Sequence, residues 1–465
     1  MTSVTTARQP AAGRGVLRDS RWRTWAGTVE CAPARTVRPT GEEELVRAVR
    51  KAARDGLSVR AAGTGHSFNR LVPTSGALID LTGYTGIVAL DTAAGEVTVR
   101  AGTRFTELCA GLHRRGMALP NIGTLAEQTV GGALSTGNHG TGLRHRALSG
   151  DVTRVRLVTA DGRVRGVGPG DEAELWGAVR CGLGTLGVLS TVTLRCVPQF
   201  RLRSESATER LDALLERFED WAAGSEHPSL GWLPWSDQVT VRSVDRTDEP
   251  VTPGAGFRRL AATLDEVRCG VTGQAARLAG AEAVPRLTAR LGGLWPDGPY
   301  VDASHRVFTF AQPVRFLAME HALPLERTPD ALRALRTVLR QLGIYSPYSV
   351  LVRVGAADDV PLSPAYGRPT GYVNLTVPRA AGQVEILRAV EPVLRDHGAR
   401  PHWGKAHTAT AEVLAGRYPG WAEFQRVRSR LDPSGMFAGP YTDTLLGPAP
   451  APVAEPAVAA GRGAR

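Results

Sequence analysis

A chain of 465 residues, 42% hydrophobic and +11 in formal charge, fits roughly two to three domains of ~100–200 residues, each with a sizeable core. The five cysteines (Cys31, Cys109, Cys181, Cys196, Cys269) lack C-x-x-C spacing, against a disulfide framework or a zinc site, and neither a secretory pattern nor a run of ~18 apolar residues occurs, so a soluble cytoplasmic protein is expected. The basic residues run from Arg8 to Arg465 without a stripe or an aromatic/basic module, against a nucleic-acid partner, and nothing specifies an oligomeric state.

Residues 1–18 and 448–465 are Ala/Pro/Gly/Arg-rich and aperiodic, which predicts disordered tails. Thr40-Gly41-Glu42-Glu43 is a candidate capping box. Leu45, Val46, Val49, Ala52 and Ala53 then make one helical face that stops at Gly56. A strand over Val59 to Ala62 runs into Gly63-Thr64-Gly65-His66-Ser67-Phe68-Asn69. Glycines here permit φ > 0 and close approach of the backbone to a ligand, and successive N–H groups suit anionic oxygens. By itself the turn is also compatible with a satisfied imidazole.

Short strands follow at Ala77 to Leu81, Ile87 to Leu90 and Val97 to Ala101, then a helix from about Arg104 to Arg115. The segment from Asn121 to Gly142 is half Gly, Ser and Thr and nearly uncharged, which suits wrapping a large cofactor by main-chain hydrogen bonds. Asp161-Gly162 signals a hairpin between strands around Val155 to Val158 and Val164 to Val167. Gly182-Leu183-Gly184-Thr185-Leu186-Gly187 matches G-x-G-x-x-G, but a helix around Glu172 to Arg180 precedes it and a strand from Val188 to Cys196 follows. That order is the reverse of a nicotinamide-binding fingerprint. The pattern to about residue 200 is α+β, and a looser alternation over 201–399 reads as a second domain.

In Val350 to Val354 and Gly371 to Val377, the period of two puts Asn374 and Thr376 on one strand face, with Arg353 on the neighbouring run. Arg400-Pro401-His402-Trp403-Gly404-Lys405-Ala406-His407 gathers two imidazoles, an indole and one of only two lysines among 54 arginines. A lysine kept in so arginine-biased a chain points to a need for its compact ammonium and adjustable pKa, hence to a site. No metal-ligand spacing appears.

The segments CAPARTVRPTGEEEL, AAGTGHSF, GTGLRHRALS, LGTLGVLSTVTL, VRFLAMEHALP, ADDVPLSPAYGR, RPHWGKAH and LDPSGMF occur in one order. Through them the chain, from about Trp25 to Gly447, resembles the aldonolactone oxidase/alditol oxidase family. This is a branch of the vanillyl-alcohol-oxidase flavoproteins with a PCMH-type FAD-binding domain. The resemblance implies an α+β architecture: a flavin domain over 25–200, a substrate-capping domain over 201–399 and a segment over 400–447 returning to the flavin. It implies FAD joined covalently, as 8α-histidyl, through His66. Cofactor contacts are implied for Ala62, Gly63, Thr64, Gly65, Ser67, Gly123, Thr129, Gly132, Ser135, Thr136, Gly137, His139, Gly140, Gly187, Val188 and His407. Substrate contacts are implied for Thr124, Asn374, Thr376 and His402, and catalytic roles for Lys405 and Arg353. The implied reaction is oxidation of a CH–OH group of a sugar lactone, polyol or related hydroxylated metabolite.

Relatives have Glu-x-Arg where this chain has Leu351-Val352-Arg353. The change removes a hydroxyl acceptor and a partner of the arginine, leaving Arg353 to be held differently or to meet an anionic or less hydroxylated substrate. Gly123 stands where a small residue accompanies oxidase behaviour, which implies molecular oxygen as acceptor and H₂O₂ as product. A dehydrogenase with another acceptor and a catalytically altered flavin-binding homologue are the alternatives.

Overall fold

The first helix forms over Glu42–Arg54 and buries Leu45, Val49 and Ala52, as its apolar spacing requires. Its N-cap is Gly41 rather than Thr40, and it has no side-chain cap. The expected box is displaced by one residue: Glu44 Oε2 accepts from the Thr40 N–H at 2.7 Å and from its hydroxyl at 3.0 Å. The computed structural model describes residues 16–18, 21–291, 298–378 and 383–448. The stretch expected to be an unstructured tail contributes a strand, Val16–Arg18, paired with Arg21–Arg23. The rest of that tail up to residue 15, and residues 449–465, lie outside the described residues.

Three sheets organise the site. In a parallel sheet, Ala77–Asp80 lies between Arg35–Val37 and Val59–Ala62. An antiparallel sheet of five strands runs Val164–Val167, Val152–Val158, Val188–Arg195, Glu96–Arg100, Ile87–Asp91, and includes the Asp161-Gly162 hairpin. The helix Ala173–Val179 precedes the Gly182 loop and Val188–Arg195 follows it, the order expected from the sequence.

The third sheet has eight antiparallel strands in the order Tyr300–Ala303, Arg201–Arg210, Gln238–Thr247, Ser229–Trp232, Val350–Gly355, Thr370–Pro378, Phe316–Pro324, Arg400–Pro401. Its two faces do different work. Val350, Val352, Val354, Val373, Leu375 and Val377 pack with Leu332, Leu335, Leu339, Leu387, Val390 and Leu394 from the helices Thr328–Gln341 and Gln383–Asp396. With alternate residues committed to that core, Leu351, Arg353, Asn374 and Thr376 are turned to the opposite face.

The chain after Arg400–Pro401 leaves the edge of this sheet and packs back on the first part of the molecule. Trp403, Tyr418, Phe424 and Val427 share one core with Leu108, Leu134 and Val155, and Val59 donates its N–H to Met436 O at 2.8 Å. Among the described residues no helix is long and apolar enough to cross a membrane.

Candidate active site

The strand Val59–Ala62 delivers the glycine turn, and neighbouring segments hold it closely. Gly65 has φ +73°, a conformation that glycine adopts without strain, and a Cβ on Gly63 would lie 2.1 Å from Thr129 Oγ1. Thr64 Oγ1 donates to Glu127 O at 2.8 Å, and Trp25 N–H donates to Gly65 O at 2.8 Å. The turn is also bonded to the C-terminal segment. Asn69 Nδ2 donates to Trp403 O at 2.5 Å and Lys405 O at 3.0 Å, and Phe68 N–H to Gly404 O at 2.8 Å. His66 and Lys405 are therefore positioned by one bonded unit although 339 residues separate them (405 − 66). The His66 ring is buried, 5.3 Å from the Trp25 ring.

A narrow cavity of about 100 Å³ lies along this turn, and one of 420 Å³ continues from it; both are lined by His66, Ser67, Gln128 and Thr136. Ala62, Gly63, Thr64, Gly65, Thr129, Gly132, Ser135 and Gly187 line the narrow part. Gly123, Thr124, His139, Arg353, Asn374, Thr376, His402 and Lys405 line the wider part, and Gly140 borders a third cavity beyond Thr124. Three expected contacts line none of these cavities. Val188 begins a strand with its side chain in the core, next to the inward Gly187. Gly137 takes φ +71° against Pro364 and Cys181. His407 lies behind the wall, where burial pushes its pKa down and its titratable neighbours are Glu391 and His321.

The narrow cavity has the chemistry that FAD's phosphates need. Its lining includes hydroxyls of Thr64, Ser67, Thr129, Ser135 and Thr136, several glycines, and no carboxylate. Arg60 sits at its base and ties three segments together. Nε donates to Leu71 O at 2.7 Å, Nη1 to Gly184 O at 3.1 Å and Phe437 O at 2.8 Å, and Nη2 to Leu183 O at 2.8 Å.

In the wider cavity Lys405 Nζ donates to Asn374 Oδ1 at 3.2 Å and lies 5.5 Å from the centre of the Phe68 ring. Asn374 Nδ2 in turn donates to Thr376 Oγ1 at 3.0 Å, and Arg353 Nη2 to Thr124 Oγ1 at 2.5 Å. Burial lowers the pKa of both Lys405 and Arg353, opposed by the Glu320 charge. Gly404 N–H donates to His402 Nδ1 at 3.0 Å, and burial pushes this imidazole down to about 3, so the ring is neutral with its proton on Nε2.

Glu320 is the functional group that motif reading missed. It pairs in register with Asn374, which in turn pairs with Leu351. Burial raises its carboxyl pKa, but His139, at 2.7 Å, and Lys405 outweigh that effect and hold it well below the usual carboxylate range. A carboxylate thus stands on the same row as Leu351, two strands away and separated from it by Asn374. The available signal was a Glu-His pair inside the apolar run Phe316–Pro324, since a carboxylate within a buried strand demands a partner.

Two side-chain groups among the described residues have ligand atoms within 4.8 Å of one another, as a metal site requires: His139, Glu320, His402 and His145, Glu226, His227. In the first, Glu320 Oε1 already bonds His139; in the second, Arg246 Nε donates to Glu226 Oε1 at 3.0 Å.

Comparison with known proteins gives two family matches: "D-arabinono-1,4-lactone oxidase" over residues 192–445 and "FAD binding domain" over residues 33–168. The chain is 37% identical to L-gulono-1,4-lactone dehydrogenase of Mycobacterium tuberculosis over 428 residues, 92% of this chain and 99% of that one. It is 30% identical to L-gulonolactone oxidase of Bos taurus (92% and 98% covered) and 32% identical to alditol oxidase of a Streptomyces species (91% and 98%). Among solved structures, a solvent-stable cholesterol oxidase superposes with a TM-score of 0.73 at 18% identity, covering 92% of this chain and 97% of that one. That likeness shows the fold.

Proposed function

The chain belongs to the D-arabinono-1,4-lactone oxidase family of FAD-dependent oxidoreductases, and on that premise we propose that it oxidises a CH–OH group of a sugar lactone, polyol or related hydroxylated metabolite. One observation carries this reading. Arg353, Lys405, Asn374 and Thr376 line the same cavity of 420 Å³ as His66 and Ser67 of the glycine turn. Bound FAD supplies the acceptor for the hydride that leaves the carbinol carbon.

The protein's part is placement and charge. Arg353 and Lys405 bind the substrate oxygen and stabilise the negative charge it carries once its proton has passed to solvent, until the hydride leaves the carbon and the carbonyl forms. Thr124 holds Arg353, and the Asn374–Thr376 pair holds Lys405 and offers hydroxyl and amide groups to substrate hydroxyls. Trp25 packs against His66, the proposed covalent anchor, and is itself packed edge-on against Phe68.

Acid precipitation tests the anchor: yellow colour is expected to stay with the wild-type precipitate and to be lost from His66→Ala. Anaerobic mixing with a panel of aldonolactones and alditols tests the chemistry. Bleaching of the flavin is expected, and a panel that leaves the flavin oxidised while dithionite reduces it would overturn the reading.

Molecular oxygen is the proposed acceptor, with H₂O₂ as product. Gly123, which lines the flavin-side cavity without a side chain, supports this reading. The named relatives include a dehydrogenase as well as oxidases, so reoxidation of the reduced enzyme by O₂ decides the point. A rate no faster than that of free flavin would assign a different acceptor.

A further inference from the structure

Beyond Thr124 and Arg353 the site opens into a second cavity of 620 Å³, in the size range of a ligand-binding pocket (~300–1,000 Å³). Its floor is the face of the eight-stranded sheet turned away from the helix-packed core. Strand register defines two rows across that floor. Arg353 pairs with Ser229, Ser229 with Arg242, and Arg242 with Ser206. Leu351 pairs with Gly231, Gly231 with Thr240, and Thr240 with Thr208. Cross-strand partners project from the same face, so Arg353 and Arg242 stand on one row with only a serine between them. The floor is otherwise made of small, mostly hydroxylated side chains, which leave the cavity open above it.

Arg242 is the unusual member of this wall. Its Nε donates to Ser204 Oγ at 2.8 Å, and its Nη2 to Tyr300 Oη at 3.2 Å and Val307 O at 3.0 Å. All three partners are neutral. By contrast Arg268 on the same cavity is paired with Asp265 at 2.7 Å, and Arg306 lies 3.6 Å from Asp302. Arg353 likewise has only a neutral hydrogen-bond partner, Thr124, and the Arg242 charge acts against it. Two guanidinium groups on one row, neither hydrogen-bonded to a carboxylate, are a costly arrangement that an anion beside Arg242 relieves.

We propose that the 620 Å³ cavity is a subsite for an anionic group, a phosphate or a carboxylate, carried by the substrate at the end remote from its reacting carbinol, and that Arg242 is the residue that recognises it. The proposal rests on the oxidoreductase reading above and names the substrate class within it. Arg353 and Arg242 are two strand spacings apart, so their backbones are separated by roughly 10 Å. A phosphate or carboxylate at the far end of a five- or six-carbon sugar chain suits that span, with the side chains reaching inward. Glu266, on the opposite wall, is pushed up to about 7 by burial and by Asp265. In its protonated form, which gains as pH falls through that value, it offers a donor to an anion and carries no opposing charge. Arginine forks bind phosphate and carboxylate alike, and the experiment separates the two sources.

The test uses the flavin-loaded protein and three matched substrates: a neutral sugar lactone or polyol, the same compound with a terminal phosphate, and the same compound with a terminal carboxylate. Anaerobic flavin reduction gives kcat/KM for each. At least one anionic form is expected to exceed the neutral form about tenfold or more, and Arg242→Leu is expected to remove that preference mainly through KM. Which anion gains identifies the group. Arg242→Gln, which keeps hydrogen-bonding atoms and removes the charge, serves if the leucine variant fails to fold.

A neutral substrate preferred by the wild type, or an anion preference that survives both variants, overturns the proposal. If no member of the series bleaches the flavin, the reading of the function fails separately. A second arm then decides the subsite: titration with inorganic phosphate and with malonate, followed by the flavin absorption spectrum and thermal melting. Saturable binding that is lost in Arg242→Gln supports the anion site, and no binding by either anion overturns it.

Discussion

His139 Nε2 lies 2.7 Å from Glu320 Oε1, while its Nδ1 lies 2.9 Å from the carbonyl oxygen of Gly140. Both ring nitrogens therefore face oxygen, and the imidazole bridges the carboxylate of one strand to the Gly140 backbone. The Tyr372 ring stacks on the imidazole with centroids 3.5 Å apart and fixes its plane. Glu320 supplies the negative charge that steadies Lys405 and Arg353 in a buried cavity. Glu320→Gln keeps the shape and removes the charge. We expect kcat/KM to fall by roughly 10²-fold, with FAD still bound, because two buried cations lose their compensation. Steady-state kinetics alongside flavin absorbance check this, and an unchanged kcat/KM would refute it.

Lys405 predicts a pH profile. Burial lowers its pKa below 10.5, and the Glu320 charge partly restores it. The useful form is the ammonium, so activity is present at lower pH and declines as pH rises through that lowered pKa. The alkaline limb of kcat/KM is therefore expected below the pH at which an ordinary lysine titrates, about 10.4. In Glu320→Gln the limb moves to still lower pH, since removing a negative neighbour disfavours the charged form. In Lys405→Arg it disappears from the accessible range. A limb at the same pH in all three proteins would exclude Lys405 as its source.

Gly123 predicts an effect on oxygen. A Cβ there would lie 2.7 Å from Asn138 Oδ1, 2.9 Å from Asn138 Nδ2 and 3.1 Å from His139 O. Asn138 Nδ2 also donates to Gln128 Oε1 at 2.8 Å, and Gln128 borders both flavin-side cavities. Gly123→Ala displaces that amide pair, and under the proposed oxidase reading the displacement hinders approach of O₂. Stopped-flow reoxidation is expected to slow by about tenfold or more, with reduction by substrate changed less. Equal slowing of both half-reactions would show a general distortion of the cavity instead.

Local signals carried much of this architecture. The strands at Val59–Ala62 and Val164–Val167 match their expected ends, because glycine and Asp-Gly punctuation bounds them. Strand alternation also placed Asn374 and Thr376 together, as their hydrogen bond confirms. Glu320 was hidden because it reaches the site through pairing with Asn374, 54 residues later (374 − 320), which no local pattern encodes. Val188 lines no cavity, for the opposite reason. It is adjacent to a cavity-lining glycine, and in a strand adjacent side chains face opposite ways. The displaced cap at Thr40 shows a glutamate one residue further along taking the same role from the next turn.

Arg60 yields a prediction of stability that does not depend on substrate. It is 4% exposed, and burial pushes its pKa down to about 10, so it stays charged at neutral pH. No carboxylate hydrogen-bonds it; four carbonyl oxygens, from Leu71, Leu183, Gly184 and Phe437, receive its protons. One of those residues, Leu183, has φ +53°, a strained conformation for leucine that this contact helps hold. Arg60→Leu strips the donors from four largely buried carbonyls and is expected to cost roughly 3–5 kcal/mol. Arg60→Lys retains a charge but not the planar fork, so it is expected to recover only part of the loss. Because the same contacts join the glycine turn to the Gly182 loop and the Phe437 segment, FAD retention should fall together with the melting temperature. Thermal melts and flavin-to-protein absorbance ratios of the two variants test this, and a leucine variant as stable as wild type would remove Arg60 from its place at the centre of the flavin cradle.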